Sequence, residues 1–217
     1  MESGEYKNTR DKASYCLGLE TGRGLKMQFA DLDLSIFYQG LKDAFSDAKP
    51  RMKEEEIRQV MAAIQHQMLQ QQRQMLARLS DENKKAAEKF LEHNKTKPGI
   101  VVLPSGLQYK MLSSNAGSGA SPTLLDFVTI HYKASFPNGA VFENTYEKNQ
   151  PKSIGINQMI PGWAEAIKLM KVGEKWEIYV PPYLAYGEAG YPPVIPPNAL
   201  LIFELELLAV NDELPGS

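Results

Sequence analysis

Apolar residues recur along this chain with two different periods, and the change falls near residue 97. Before it the spacing is helical. In "KPRMKEEEIRQVMAAIQHQMLQQQRQMLARLSDENKKAAEKFLEHNK", Ile57, Val60, Met61, Ile64, Met68, Met75, Leu79, Ala86 and Phe90 form an apolar stripe on an otherwise polar rod. The pattern predicts one long helix, with Pro50 in its first turn and Glu54, Glu55 and Glu56 complementing the positive end of its dipole. At ~1.5 Å per residue such a helix runs roughly 60 Å, too long to lie inside a small domain. Its C-terminal part is nearly polar all round, the pattern of a solvated spacer between two bodies.

Two shorter helical patterns lie upstream. "KASYCLGLETGRGLKMQ" has Gly18 and Gly22 four apart, which lets another helix backbone come close. "DLSIFYQGLKDAFSDA" puts Ile36, Phe37, Leu41, Ala44 and Phe45 on one broad face. So short a stretch buries little surface alone, and a stripe that the chain cannot cover calls for a second copy. Residues 1–49 are therefore read as a helical homodimerisation module, 50–97 as a connecting helix and 98–217 as a separate domain.

After "NKTKPG" the period drops to two. "SGLQYKML" alternates Leu107, Tyr109 and Met111 against polar neighbours. "FVTIHYKASF" sets Val128, Ile130, Tyr132, Ala134 and Phe136 against Thr129, His131, Lys133 and Ser135. Asn138-Gly139 supplies a hairpin turn and "AVFENT" returns. "EKWEIYV" and "LLIFELELLAV" alternate likewise. One helix interrupts the strands: in "PGWAEAIKLMKVG", Trp163, Ala166, Ile167 and Met170 share a face and Gly173 ends it. The expectation is an α+β chain: an all-helical N-terminal module, a long helix, and a curved antiparallel sheet wrapped on one short helix.

Composition narrows the function. The net charge of -2 and pI of about 6.0 exclude the basic field that nucleic acid requires. No apolar run is long enough to span a membrane. Met1 leads straight into polar residues, which points to the cytoplasm for the chain as given, with periplasm or outer-membrane surface the alternative if a signal was removed. Cys16 is the only cysteine, which rules out an internal disulfide. It reads as a small buried apolar side chain, with an intermolecular bridge as the alternative.

Familiar catalytic constellations are missing: no nucleophile elbow, phosphate loop or metal-ligand cluster is spelled out. Gly117 and Gly119 make only a loop, and His131, by strand parity, faces solvent. The C-terminal half instead aims aromatics at one place. Tyr132 and Phe203 point inward, Phe142 follows the hairpin, Trp163 opens the helix, and Tyr186 and Tyr191 stand in the proline-rich "PPYLAYGEAGYPPVIPPNAL". Packing is the simpler reading of an inward aromatic stripe, but clefts open at element ends and a tyrosine hydroxyl needs a partner. An apolar cleft with phenol donors and no nucleophile suits rotation about an X-Pro bond. That rotation is slow because partial double-bond character must be lost, and removal of water from the planar amide lowers the barrier.

The stretches "VTIHY", "MIPGWAEAIKLMKVGEKWEI", "LAYGEAG" and "IPPNALLIFELELL", spread between Gly106 and Val210, resemble the FKBP-type peptidyl-prolyl cis-trans isomerases. "NKTKPGIVVLPSGLQYK" and "ASYCLGLETGRGL" are similar to the bacterial subgroup typified by the macrophage infectivity potentiator, whose members look like V-shaped dimers. The resemblance implies a cofactor-free isomerase acting on proline-containing polypeptide clients, with dimer-dependent chaperone activity and binding of macrolides such as rapamycin. It assigns catalytic roles to Tyr132, Phe142, Glu143, Ile160, Trp163, Tyr186 and Phe203, and substrate contacts to Met159, Tyr191, Val194 and Ile195. Trp163 would be the floor under the proline ring. The backbone N–H of Ile160 and the hydroxyl of Tyr186 would each hold a carbonyl.

Three positions depart from that pattern. Glu143 stands where the family usually has Asp, Tyr191 occupies a variable loop position, and Lys152 falls where some members put another pocket aromatic. The longer Glu143 leaves a second reading open: a dimeric chaperone or adhesive binding module with a vestigial isomerase site.

Overall fold

The computed structural model describes residues 6, 8–29, 31–114 and 121–211. Helices α1 (Thr9–Gln28), α2 (Leu34–Phe45) and α3 (Glu54–Asn94) come first. Strands β1 (Val101–Val102), β2 (Gln108–Ser114), β3 (Phe127–Ser135), β4 (Val141–Asn144) and β5 (Lys152–Gly155) follow, then α4 (Pro161–Ile167), β6 (Glu174–Val180) and β7 (Leu201–Asn211). The chain divides into two compact units, Met1–Gln67 and Met68–Ser217, with the division inside α3. The Gly117–Gly119 loop lies outside the described residues.

In the first unit, side-chain caps start the helices. Asn8 accepts the Asp11 N–H at 2.9 Å, and Asp33 accepts those of Ser35 and Ile36 at 2.8 and 3.1 Å. Neither α1 nor α2 buries a single residue, and Cys16 is exposed on α1 rather than buried. Pro50 lies outside α3: the helix begins at Glu54, with the Ile57 N–H on the Lys53 carbonyl. Arg51, held back on Asp43 by Nε at 2.7 Å and by its Nη2 at 3.3 Å, fixes the turn between α2 and α3 instead.

In the second unit the strands form one antiparallel sheet in the order β1-β2-β6-β7-β3-β4, with β5 also paired to β3. Alternation sorts the side chains as the pattern required. Val128, Ile130, Tyr132 and Ala134 of β3, Trp176, Ile178 and Val180 of β6, and Leu201, Phe203, Leu205 and Leu207 of β7 are buried. Trp163, Ala166 and Ile167 of α4, with Met170 just beyond it, close over them. Each full burial of such a side chain stabilises by roughly 1.5–3 kcal/mol. Gly162 permits the approach: a Cβ there would lie 2.5 Å from Val180 Cγ1.

The last turns of α3 are not a solvated spacer. Ala87 and Asn94 are buried, and the Phe90 ring lies 5.9 Å from that of Tyr179 on β6. Polar side chains make the attachment, which is why the segment looked solvated. Asn83 Nδ2 donates to the Pro197 carbonyl at 2.7 Å, and Asn198 Nδ2 to Ser80 Oγ at 2.8 Å. Gln108 Nε2 donates to the Leu91 carbonyl at 2.9 Å while its Oε1 accepts from Asn94 at 3.0 Å. Gln108 is thus buried at the start of β2, and Met111, expected inward, is exposed.

Candidate active site

The site is built where α4 begins over the concave side of the sheet. Trp163 sits one turn into the helix that Pro161 starts, and its ring is met edge-on by Tyr132 of β3 and Phe203 of β7. The centroids lie 4.7 and 5.0 Å away, with planes at 70° and 84°. Phe142 of β4 meets Phe203 at 6.4 Å, and Phe136 backs Phe142 at 4.9 Å. Edge-to-face packing suits rings with negative faces and positive edges. Met159 and Ile160 pack half-buried against the same cluster and Ile195 is buried within it. The Trp163 Nε1–H is buried and has no partner among the described residues.

The proline-rich loop closes one side. Tyr191 and Ile195 exchange both backbone hydrogen bonds, at 2.7 and 2.9 Å, so "YPPVI" folds back on itself around the cis Pro192–Pro193 bond. Gly190 has φ +63°, and a Cβ there would fall 2.4 Å from the Ile195 carbonyl oxygen, so only glycine fits that turn. Tyr186 and Tyr191 stand 5.5 Å apart, 36% and 61% exposed. Val194 is 46% exposed. It lines a separate cavity of about 420 Å³ together with Ala86, Phe90 and Phe136.

Polar groups at the rim are few and ordered. The Tyr132 hydroxyl donates to Glu143 Oε1, and Lys152 Nζ lies 3.5 Å from the same hydroxyl and 3.9 Å from Glu143 Oε1. Burial, and then the hydrogen bond to Glu143, push the Tyr132 hydroxyl above the ordinary tyrosine range. Burial and the nearby Glu143 charge do the same for Tyr186. Both phenols therefore stay protonated donors throughout the neutral range. The Ile160 carbonyl starts α4 by accepting from Trp163 and Ala164 at 3.0 and 3.1 Å, while its N–H has no acceptor among the described residues.

Two side chains differ from the sequence expectation. His131 is half-buried rather than solvated: its Nδ1 is 2.9 Å from Thr145 Oγ1 and its ring stacks 4.7 Å from Tyr146. Thr145 in turn binds the Tyr132 backbone N–H at 2.8 Å, so a segment read only as the returning arm of a hairpin braces a site residue. Lys152 falls where some members put another pocket aromatic, a position that leaves that side of the cleft without an apolar wall. The side chain is instead drawn in beside Tyr132 and Glu143, a meeting visible only once the strands are in register.

The chain's N-terminal and C-terminal parts each match a family model. Residues 10–111 match the domain amino terminal to FKBP-type peptidyl-prolyl isomerase, and residues 119–208 match the FKBP-type peptidyl-prolyl cis-trans isomerase domain itself. The peptidyl-prolyl cis-trans isomerase Mip of Coxiella burnetii is 42% identical over 205 residues, covering 94% of this chain and 88% of the relative. This chain belongs to the FKBP-type peptidyl-prolyl cis-trans isomerases. The outer membrane protein MIP of Legionella longbeachae is 39% identical over 93% of this chain and 86% of its own length. The crystal structure of FkpA from Escherichia coli superposes with a TM-score of 0.76 at 33% identity, covering 95% of this chain and 98% of that one. As a member of this FKBP family, the chain catalyses cis-trans isomerisation of peptidyl-prolyl bonds. Among its described residues no helix is long and apolar enough to cross a membrane.

Proposed function

We propose that isomerisation takes place in the aromatic cup, with the client proline ring seated on Trp163 between Tyr132, Phe142 and Phe203. The observation that carries this is the meeting of two aromatic edges on one indole beside a free backbone N–H, at the start of α4. An X-Pro amide is planar because its nitrogen lone pair is shared with the carbonyl, and water stabilises that polar planar form. Within the cup the amide loses this water, so the twisted state is favoured relative to the ground state. The Ile160 N–H and the Tyr186 hydroxyl then hold carbonyls of the client, with Met159, Ile195 and the Tyr191 flap fixing the chain on either side. Glu143 keeps the Tyr132 hydroxyl pointing away from the proline ring, so the wall of the cup stays apolar.

A peptide exchange assay tests the assignment. Trp163→Leu should lower kcat/KM about ten-fold or more, of the order of 1.4 kcal/mol, and Tyr186→Phe about two- to ten-fold. Rapamycin should compete with peptide in the wild type and lose affinity in both variants. Unchanged rates and unchanged rapamycin binding would overturn the site.

The N-terminal helices are assigned to self-association. Ile36 and Phe45 are 65% and 86% exposed, and a Cβ on Gly18 or Gly22 would meet nothing within 4 Å. An apolar face and small-residue approach that serve no packing within the chain suit a second copy, and two cups in one dimer would hold a client by avidity. The outer-membrane name of the Legionella longbeachae relative favours a location outside the cytoplasm over a cytoplasmic one. Cell fractionation tests this, and recovery in the cytosol alone would overturn it.

A further inference from the structure

The registers around β3 bring three polar side chains together. Glu143 on β4 stands opposite Ala134, and Lys152 on β5 stands opposite Ile130. Directly paired residues in an antiparallel ladder share a face, and alternate residues of one strand share it too. A carboxylate and an ammonium, from two strands on the same edge of β3, therefore meet beside the Tyr132 phenol on the face of the aromatic cup. Lys152 Nζ also lies 5.9 Å from the centre of the Tyr132 ring.

Glu143 and Lys152 also wall a cavity of about 590 Å³, lined besides by Phe142, Asn144, Glu147 and Lys148, among others. Its carboxylates are already engaged. Glu143 accepts from the Tyr132 hydroxyl, and Glu147 accepts from Asn144 Nδ2 at 2.9 Å. Its cations are not. Lys148 makes no ion pair or hydrogen bond among the described residues, and the two contacts of Lys152, at 3.5 and 3.9 Å, lie at the long limit for an ammonium with three donors. Two carboxylates and two ammonium groups thus line the cavity, and it is the ammonium groups that have donors to spare.

We infer that Lys152 is a specificity-determining residue, and that this cavity takes the carboxylate side chain of an Asp or Glu immediately preceding the client proline. The inference rests on the seating of proline on Trp163 proposed above. The residue before proline owns the carbonyl that turns, and the Lys152–Glu143 wall adjoins the cup through Tyr132 and Phe142. Glu143 and Glu147 repel an incoming carboxylate, but Glu143 shares its charge with the Tyr132 hydroxyl and Glu147 with the Asn144 amide, while two ammonium groups with donors to spare face the same space. An apolar side chain at position 152 would instead favour an apolar neighbour to the proline.

The test uses the full chain and tetrapeptides that differ only before the proline, with Glu, Gln, Leu or Lys there. In the wild type kcat/KM should favour Glu over Gln by about three-fold, the size expected of a half-exposed ion pair. That ratio should fall to about one in K152Q, and Lys should be preferred over Gln in K152E. About 0.5 M salt should flatten the wild-type ratio, which keeps the test valid if a variant folds poorly. Each ratio is internal to one protein, so a change in overall rate does not obscure it. Glu:Gln ratios equal in wild type, K152Q and K152E, with all peptides turned over, would overturn the role of Lys152 and leave the cup standing. Turnover undiminished by Trp163→Leu would overturn the cup, and the role of Lys152 with it.

Discussion

The two units of this chain satisfy their apolar residues in opposite ways. In Met68–Ser217, three strands of alternating residues and a short helix bury one another almost completely, and even the outer face of β6 is covered where Tyr179 meets Phe90. In Met1–Gln67, α1 and α2 carry comparable apolar residues and bury none of them. The first kind of unit is stable through contacts inside one chain. The second depends on whatever covers it, so its stability should vary with concentration.

The largest effect that sharpens this contrast is a cavity in the sheet. Leu205 is fully buried between Tyr132 on β3 and Trp176 on β6. Leu205→Ala should destabilise the C-terminal unit by about 2–5 kcal/mol, by the same amount at every protein concentration. Denaturant titration at two concentrations a hundred-fold apart checks it. A concentration-dependent loss would mean that the sheet, too, leans on a partner.

Strand parity made this part of the molecule readable. Val128 to Ala134 and Leu201 to Leu207 obey a period of two without exception, so the sheet and the inward aromatics followed directly from the order of residues. The end of α3 was not readable in the same way. Asn83, Asn94 and Gln108 are polar, and a polar residue that binds a carbonyl far away in sequence looks no different from one that binds water. Lys152 was opaque for a related reason. Its meeting with Tyr132 and Glu143 depends on β4 and β5 both pairing with β3, and that pairing is long-range. Roles that depend on spacing along one element could be read early, whereas those that depend on register between elements could not.

Next in size comes the polar attachment of α3. Gln108→Ala would leave the Asn94 amide without the partner it now has at 3.0 Å, and the Leu91 carbonyl with the Lys95 N–H alone. Leaving buried polar groups unpaired costs about 1–3 kcal/mol, and the last turns of α3 should lose hydrogen-exchange protection first. If protection there is unchanged, apolar contacts such as Phe90 on Tyr179 hold the helix alone.

In the N-terminal unit the same kind of truncation should behave differently. Ile36→Ala removes an exposed side chain, so the unfolding midpoint of the sheet should move by less than the equivalent of about 0.5 kcal/mol. Light scattering across a dilution series should nevertheless show the dimer dissociating at higher concentration than in the wild type. A monomeric wild type at micromolar concentration would break the comparison, because α1 and α2 would then stand uncovered with no partner at all.

The smallest effect lies on the sheet's outward face, where the C-terminal unit is closest to the exposed character of the N-terminal one. Glu204 on β7 sits between Lys133 at 3.1 Å and Lys175 at 3.2 Å, from the strands on either side. Burial works against its charge, but the hydrogen bonds from Lys133 and Lys175 outweigh it and hold the carboxyl below its ordinary value of 4.5. A carboxyl lowered on folding contributes stability that is complete above the unfolded value and fades as pH falls through the folded one. Wild type should therefore exceed Glu204→Gln by no more than about 1 kcal/mol at pH 7, as for other partly exposed pairs, and the gap should close as the pH drops below about 4.5. Salt should narrow the gap at pH 7 as well. A gap that persists unchanged into acid would assign the contribution of Glu204 to the packing of its stem across β3 and β6 rather than to its charge.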